Sequence, residues 1–591
     1  MKRRRLLSSL LKESIRVAPG NFIAISVSTV LSGLATVLST FFPALLIDCL
    51  VSAKGNRIIL FYILAYSVIL CLVEISHKAA SLYSTATGYR ANNIATLRIQ
   101  QKAMRISYDS WDSPEHFQKI KQAVNSSWVF QTITDAVCGS LLSAVIILLP
   151  AIYIVSRIHI LLFVFLLLLI LIEMRIEEKF DEKKYAIEDQ VIALQKKSDY
   201  DEKVLTEMKY GKEVRLFKMK DGLIHRYLAD RKKENNRRID QGRVSVQFTL
   251  ISLLFSTIEA IIVYLFAIIK YNCGEVNIAD FFAYVGAVML LVEAVKQIGW
   301  AKNWIKDILN YYVFYYEFMQ TKEEEKEKRL KEKIQEGEDS GEEEPLLQMN
   351  HVSYQYENAV GYALDDICLK INKGEKVAIV GENGAGKSTL VKTMLHLYDN
   401  YSGDICYKGK NIRDIPVKDY YTRLSSVFQD YFLHAFSIRE NITFDKETDK
   451  ERLHKLFLQY DLVHVLEPLE KGIDTWYSKE LCEDGIELSG GECQKLATVR
   501  GLYKDADILV LDESTAALDP IAEKKYYDTL FENVEQTTIF ITHRMASTRK
   551  ANKIIVIDKG KIAETGTFDE LYSRHELFYS FFSKQAELYE E

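Results

Sequence analysis

The chain has 591 residues, 48% of them hydrophobic, a formal net charge of −6 and eight cysteines. That length exceeds what one core organises; the net charge says little about nucleic acid, but the polar half shows no basic stripe interleaved with aromatics, and no nucleic-acid partner is expected. The cysteines form neither CxxC pairs nor His-linked metal spacings, so they are expected as free thiols serving as small apolar residues.

The opening, Met1 through Arg5, is basic, and Leu6 to Val17 reads as an amphipathic helix lying on an inner membrane surface. No small-residue cleavage site follows it, so the first apolar stretch is expected to remain as a span. Stretches of about twenty apolar residues cross a membrane as helices. Candidates run near 21–48, 58–77, 134–156, 158–176, 246–269 and 279–300, with Ile160 to Ile172 forming thirteen uninterrupted apolar residues. Six crossings return the chain to its starting side. Lys and Arg number twenty-six in the connections 78–133 and 173–245 but four in 49–57, 156–159 and 270–278. The positive-inside rule therefore predicts that the long connections and both termini are cytoplasmic. These long connections are rich in helix formers and are expected to extend the spanning helices into the cytoplasm. Glu259 lies mid-span, with Glu74 and Glu293 in or near spans. Intramembrane acids are costly and often face a cavity, which suggests a cationic cargo, while pairing with Lys78 or Lys296 is an equal alternative.

Residues 321–344 carry seventeen charges in twenty-four positions. Such a stretch cannot bury a core and reads as a flexible linker. The domain expectation is a transmembrane part over 1–320, a linker over 321–345 and a nucleotide-binding part over 346–591.

Beyond the linker, Gly381 to Thr389 fits the pattern Gly, four residues, Gly-Lys-Ser/Thr, between the apolar run Val377–Val380 and a helical pattern from Leu390. Gly381, Gly384 and Gly386 permit the turn that aims backbone N–H groups at a phosphate, with Glu382, Asn383 and Ala385 between them. The following helix adds its positive end. Lys387 reaches outer phosphates, and Ser388 suits Mg2+. Ile508 to Asp512 is an apolar strand ending in acids: Asp512 suits Mg2+ and Glu513 suits polarising water. Leu488-Ser-Gly-Gly-Glu492 lies between these two motifs, and a strand over 539–541 ends at Thr542 and His543.

This order and spacing resembles the ATP-binding cassette family, strongly over 347–591. The resemblance implies ATP and Mg2+ as cofactors and an α-helical membrane bundle fused to an α/β phosphate-loop cassette, the arrangement of a type I exporter. It further implies that Tyr356 stacks on adenine, that Gln429 touches Mg2+ and relays nucleotide state, and that His543 contacts the terminal phosphate. In such a family Glu513 orients or deprotonates water. Ser489, Gly490, Gly491 and Glu492 match the signature that caps nucleotide held by the opposite subunit, and Asp519 closes the coupling loop across that interface. Glu492 stands where Gln is commoner, and Ala517 where Ser is. Segments 108–117 and 211–218 resemble the coupling helices of exporters.

The implied partner is a second copy of the chain, with one half of a heterodimer as the alternative, in a bacterial cell membrane with its lipids around it. The segments near Trp111 and Gly211, Glu492 and the end Gln585–Tyr589 are similar to those of exporters of lantibiotic-type peptides. Peptide export is the expected function. Alternatives are a lipid or multidrug floppase and a non-transporting regulator or sensor.

Overall fold

The computed structural model describes residues 2–52, 55–106, 108–111, 114–158, 160–321, 344–357, 359–443, 448–512, 520–533 and 536–590. It divides into two units: Met1–Ala103 with Gln118–Thr321, and Met104–Phe117 with Lys322–Glu591.

The first unit is helical. Its long helices are Pro19–Val51, Asn56–Ala103, Leu142–Ile158, Ile160–Thr206, Lys220–Asn272 and Ile278–Gln320, and the helix Leu142–Ile158 is entered through a π-helical turn at Asp135–Leu141. Helices dominate because a lipid-embedded backbone must satisfy every N–H and C=O within its own segment. Among the described residues, five segments are long and apolar enough to cross a membrane, namely Pro19–Val51, Asn56–Ala103, Glu115–Ile154, Lys220–Asn272 and Ile278–Gln320. The expected fourth span, 158–176, falls on Ile160–Thr206, and its hairpin with the third includes residue 159, outside the described residues. The 48, 47 and 53 residues of Asn56–Ala103, Ile160–Thr206 and Lys220–Asn272 make helices of roughly 70–80 Å at 1.5 Å per residue. A hydrocarbon core of about 30 Å leaves more than half of each outside it.

Outside the spans, ion pairs replace apolar packing. Glu234 is 2% exposed, yet the Arg231 and Arg238 guanidinium groups each donate to it at 2.9 Å and the Ser198 hydroxyl at 3.2 Å. Burial pushes its carboxyl up, and these donors outweigh that and hold it below the usual carboxylate range. The N-terminal helix Lys2–Val17 differs from its expected place on a lipid surface. Leu6, Leu10 and Ser14, one face at i, i+4 spacing, are buried, and Ser9 and Glu13 hydrogen-bond the Tyr312 hydroxyl at 3.1 and 3.2 Å. The face covers protein because the end of Ile278–Gln320 presents aromatic rings to it.

The second unit is an α/β cassette. Its strands are β1 Leu347–Tyr354, β2 Leu364–Ile371, β3 Lys376–Val380, β4 Tyr401–Tyr407, β5 Lys410–Asn411, β6 Leu424–Val427, β7 Ile508–Asp512, β8 Thr537–Ile541, β9 Lys553–Asp558 and β10 Lys561–Gly566. One antiparallel sheet has the order β2-β1-β4-β5, and a second has the order β10-β9-β3-β8-β7-β6. In the second sheet β9, β3, β8, β7 and β6 run parallel. Their apolar runs follow from burial on both faces. Val377, Ile379, Ile508, Val510, Ile539 and Ile541 face one core, shared with the antiparallel sheet. Ala378, Val380, Leu509, Leu511 and Phe540 face the other, against helices that include Gly490–Tyr503 and Pro520–Asn533.

Candidate functional site

Parallel strands end on the same edge, and that edge gathers the expected site residues. Ile379 pairs with Ile541, Asp512 with Ile541, and Val427 with Leu511. Gly381, His543 and Gln429 each stand two residues past their strand's register position, and Asp512 closes β7 between them. Ligands of open α/β sheets bind beyond such carboxyl ends.

The loop after β3 is shaped for close approach to an anion. Gly381 has φ 156° and Gly386 φ 107°, and a Cβ on either would lie 2.2 Å from the Ile557 carbonyl oxygen or 2.6 Å from that of Ala363. Gly384, at φ 80°, has open space around it. The loop is pinned from behind, with the Gly560 N–H donating to the Ala385 carbonyl at 2.9 Å. Helix Lys387–Met394 starts at left-handed Gly386 with no side-chain cap, so its first N–H groups face outward toward an anion. The Lys387 ammonium donates to the Gly381 and Glu382 carbonyls at 2.9 and 3.0 Å. Ala385 and Thr389 are buried, whereas Glu382, Asn383 and Ser388 are exposed. The cradle therefore fits a polyphosphate.

Tyr356 is 40% exposed, its hydroxyl hydrogen-bonded to Thr389 Oγ1 at 2.9 Å and its ring edge-on to Tyr354 and Tyr398. Asp512 is 6% exposed, while Gln429 and His543 are exposed. Glu513 and Asp519 lie outside the described residues.

Ser489, Gly490, Gly491 and Glu492 form the start of helix Gly490–Tyr503. Ser489 is its N-cap: the Glu492 N–H donates to Ser489 Oγ at 3.3 Å, and the Ser489 N–H donates to Glu492 Oε2 at 2.7 Å, a closed capping box. Glu492 also meets His464 Nε2 at 3.2 Å. A glutamate at this position thus locks the signature turn and keeps a negative charge at a helix N-terminus. The Ser489 backbone N–H and hydroxyl hold its carboxyl below the usual glutamate range, with burial opposing and His464 assisting.

Two contacts had no local signal. The Tyr431 hydroxyl donates to the Gly490 carbonyl at 3.2 Å, tying the segment after Gln429 to the signature turn. Gln585, on the C-terminal helix Leu577–Glu590, donates to the His543 carbonyl at 2.8 Å and accepts from the Met545 N–H at 2.5 Å. A cavity of about 250 Å³ lies here, lined by Gly381, Glu382, His543, Phe581, Lys584 and Gln585 among others. The same helix is capped by Glu564, which accepts from the Leu577 N–H at 2.5 Å. The only hint of this in the sequence is the resemblance of its last residues to exporter termini.

In the helical unit, Lys78 lies 4.0 Å from Glu74, with both side chains exposed. Lys296 does not pair with Glu293. It reaches across to Glu173 at 3.4 Å, and Ser252 also donates to that carboxylate at 2.5 Å. Glu259 is 2% exposed, and neither of its oxygens has a hydrogen-bond partner among the described residues.

Residues 364–516 match the family model "ABC transporter", which decides the assignment. The chain carries an ABC transporter domain. It is 26% identical over 572 residues to the subtilin transport ATP-binding protein SpaT of Bacillus subtilis, covering 92% of this chain and 88% of that one. It is 38% identical over 247 residues to the nisin transport ATP-binding protein NisT of Lactococcus lactis, 39% of this chain and 40% of that one. An ATP-dependent lipid A-core flippase of Cupriavidus pinatubonensis is 34% identical over 237 residues, 39% of this chain and 40% of that protein. The fold matches a bacterial Atm1-family ABC exporter with ATP bound, with a TM-score of 0.76, 20% identity, and coverage of 97% of this chain and 99% of that one. The chain is thus a multi-pass membrane protein whose ABC domain binds nucleotide and couples ATP hydrolysis to transport.

Two substitutions check the geometry. Gly386→Ala is expected to lower ATP affinity at least tenfold in fluorescent-nucleotide titrations, since the new methyl meets a fixed carbonyl. Glu492→Ala is expected to cost about 1 kcal/mol of cassette stability, the usual worth of a cap. Because the carboxyl is depressed on folding, its contribution is present above the ordinary glutamate range and is lost as pH falls through the folded value. In thermal melts the gap between variant and wild type should close in acid.

Proposed function

We propose that the chain exports a peptide across a bacterial cytoplasmic membrane as a dimer of identical half-transporters. The observation that carries this reading is the reach of the SpaT match, 92% of the chain. It includes the helical half, where cargo is chosen, whereas the flippase match covers 39%. The domain reading stays at 1–320, 321–345 and 346–591, with the cassette and both termini cytoplasmic.

Within the site, Lys387 and the N–H groups of its loop would hold the ATP phosphates, with Tyr356 against adenine. The donors Ser388, Gln429 and buried Asp512 are hard oxygens that suit Mg2+, which would supply charge neutralisation at the phosphates when bound. Glu513 aligns and deprotonates water, and His543, held by Gln585, contacts the terminal phosphate. The signature turn at Ser489 to Glu492 and Asp519 serve the nucleotide of the opposite subunit, so nucleotide favours the closed pair by touching both chains. Segments 108–117 and 211–218 carry that closure to the helices. In the second segment Leu216 and Phe217 are 76% and 68% exposed, an apolar tip suited to a cassette groove. Glu259 supports a cargo with a cationic group, since a buried carboxylate is stabilised by an incoming positive charge.

The test is uptake into inside-out proteoliposomes. ATP-dependent accumulation of a nisin or subtilin precursor is expected, abolished by Glu513→Gln while ATP still binds. Lipid translocation without peptide uptake would favour the floppase reading, and nucleotide-driven movement without any flux a regulator. Glu259→Gln is expected to reduce uptake of a lysine-rich precursor at least fivefold and to leave peptide-free ATP hydrolysis within twofold.

A further inference from the structure

The antiparallel sheet of the cassette carries a group of side chains that nucleotide chemistry does not use. Strands β1 and β2 pair regularly at Met349 with Leu369, at Val352 with Ile367 and at Tyr354 with Leu364. Between the first two pairs β1 has an extra residue, and between the second two β2 has one. These are two opposed bulges. Each holds a residue in the left-handed region, His351 at φ 49° and Asp366 at φ 57°. Bulges re-aim side chains, and these aim two at one point. Cys368 joins them because its period-two spacing from Asp366 puts it on the same outward face, with Ile367 turned inward.

The result is a convergence of three donor atoms. His351 Nδ1 lies 2.7 Å from Asp366 Oδ1 and 3.7 Å from Cys368 Sγ, and all three ligand atoms lie within 4.8 Å of one another. Four-coordinate zinc bonds nitrogen and oxygen at about 2.0 Å and sulfur at about 2.3 Å, which sets N···S edges of roughly 3.6 Å and N···O edges of roughly 3.3 Å. The His–Cys edge already has that length, and the His–Asp edge needs to open by about half an ångström, the difference between a hydrogen bond and two bonds to one ion. The backbone supports the sulfur, since the His351 N–H donates to Cys368 Sγ at 3.3 Å. It also supports the aspartate turn, since the Asp366 N–H donates to Ser353 Oγ at 2.9 Å. Among the described residues, no other group of His, Cys, Asp and Glu has this geometry.

We propose that His351, Asp366 and Cys368 form a surface site for Zn2+, with the fourth position open to water. The mix of thiolate, imidazole and carboxylate selects a borderline-soft divalent ion over Mg2+ or Ca2+. Binding replaces the thiol S–H bond with an S–Zn bond and sends the proton to solvent, so affinity rises with pH. The ion would staple β1 to β2 where the bulges interrupt their ladder, five residues before Tyr356, which lies just past the end of β1. Zinc therefore stiffens the root of the adenine-facing aromatic without touching the phosphate edge.

Co2+ serves as the spectroscopic probe on tag-free, full-length protein in detergent, stripped with a chelator and kept reduced. We expect one Co2+ per chain, with a near-ultraviolet thiolate-to-cobalt band and the intense visible bands of a four-coordinate ion, displaced by one equivalent of Zn2+. Cys368→Ser should abolish the thiolate band. His351→Asn and Asp366→Asn, which keep residues tolerant of the left-handed backbone, should each weaken binding at least tenfold. Zn2+ should raise the thermal midpoint of the wild type and not of Cys368→Ser, with unliganded ATP hydrolysis unchanged in all three variants. No thiolate band in the wild type, or an undiminished band in Cys368→Ser, overturns the proposal. Neither result bears on peptide export.

Discussion

Parallel hydrogen bonding among β9, β3, β8, β7 and β6 imposes a common direction, so every one of these strands delivers its following residue to the same rim. Four loops far apart in sequence, at Gly381, Gln429, Asp512 and His543, arrive there through that shared direction. The strands tolerate this only because both faces are covered, which is why the runs Val377–Val380 and Ile508–Leu511 alternate between two cores rather than between core and solvent. Glycine at 381 and 386 is then a matter of space: backbone carbonyls of the neighbouring turns occupy the places a side chain would take.

The helical unit obeys a different constraint. Lipid supplies no hydrogen bonds, so the crossings are continuous helices, and their length beyond the apolar belt is sustained by charge networks such as the one around Glu234. Where the same logic fails inside the belt, at Glu259, an acid sits in an apolar bundle with its neighbour Glu173 already matched to Lys296. A transport bundle must change its packing during its cycle, and a buried acid without a hydrogen-bond partner is one way to keep two packings close in energy.

What could be read from the chain was whatever is encoded within one turn or one strand. The phosphate loop, the acid ending β7 and the histidine following β8 each announce themselves in a handful of residues. The span pattern does so through hydropathy, and Glu74 with Lys78 through helical spacing. The capping role of Glu492 was locally encoded too, as Ser-x-x-Glu, but the family comparison drew attention to its departure from Gln instead. Contacts spanning long stretches of sequence stayed hidden: Lys296 bypasses Glu293 for Glu173 on another helix, and Gln585 meets His543 across 42 residues. The N-terminal helix has the amphipathic pattern of a lipid-surface helix, yet its face is taken by Tyr312 and its neighbours, because periodicity reports that a face is apolar and not what covers it. The paired bulges of β1 and β2 break the period-two rhythm by which strands are recognised, so no local pattern brings His351 and Asp366 together.

The clamp by Gln585 gives the last helix of the chain an unexpected authority. Anchored by Glu564 at its start and gripping the loop at His543 and Met545 near its end, it acts as a strut between the edge strand β10 and the loop after β8. A fluorescent protein, an affinity handle or a neighbouring domain fused to the carboxyl terminus is thereby levered directly against the loop that carries His543, and its effect depends on the slack in the joint that connects it.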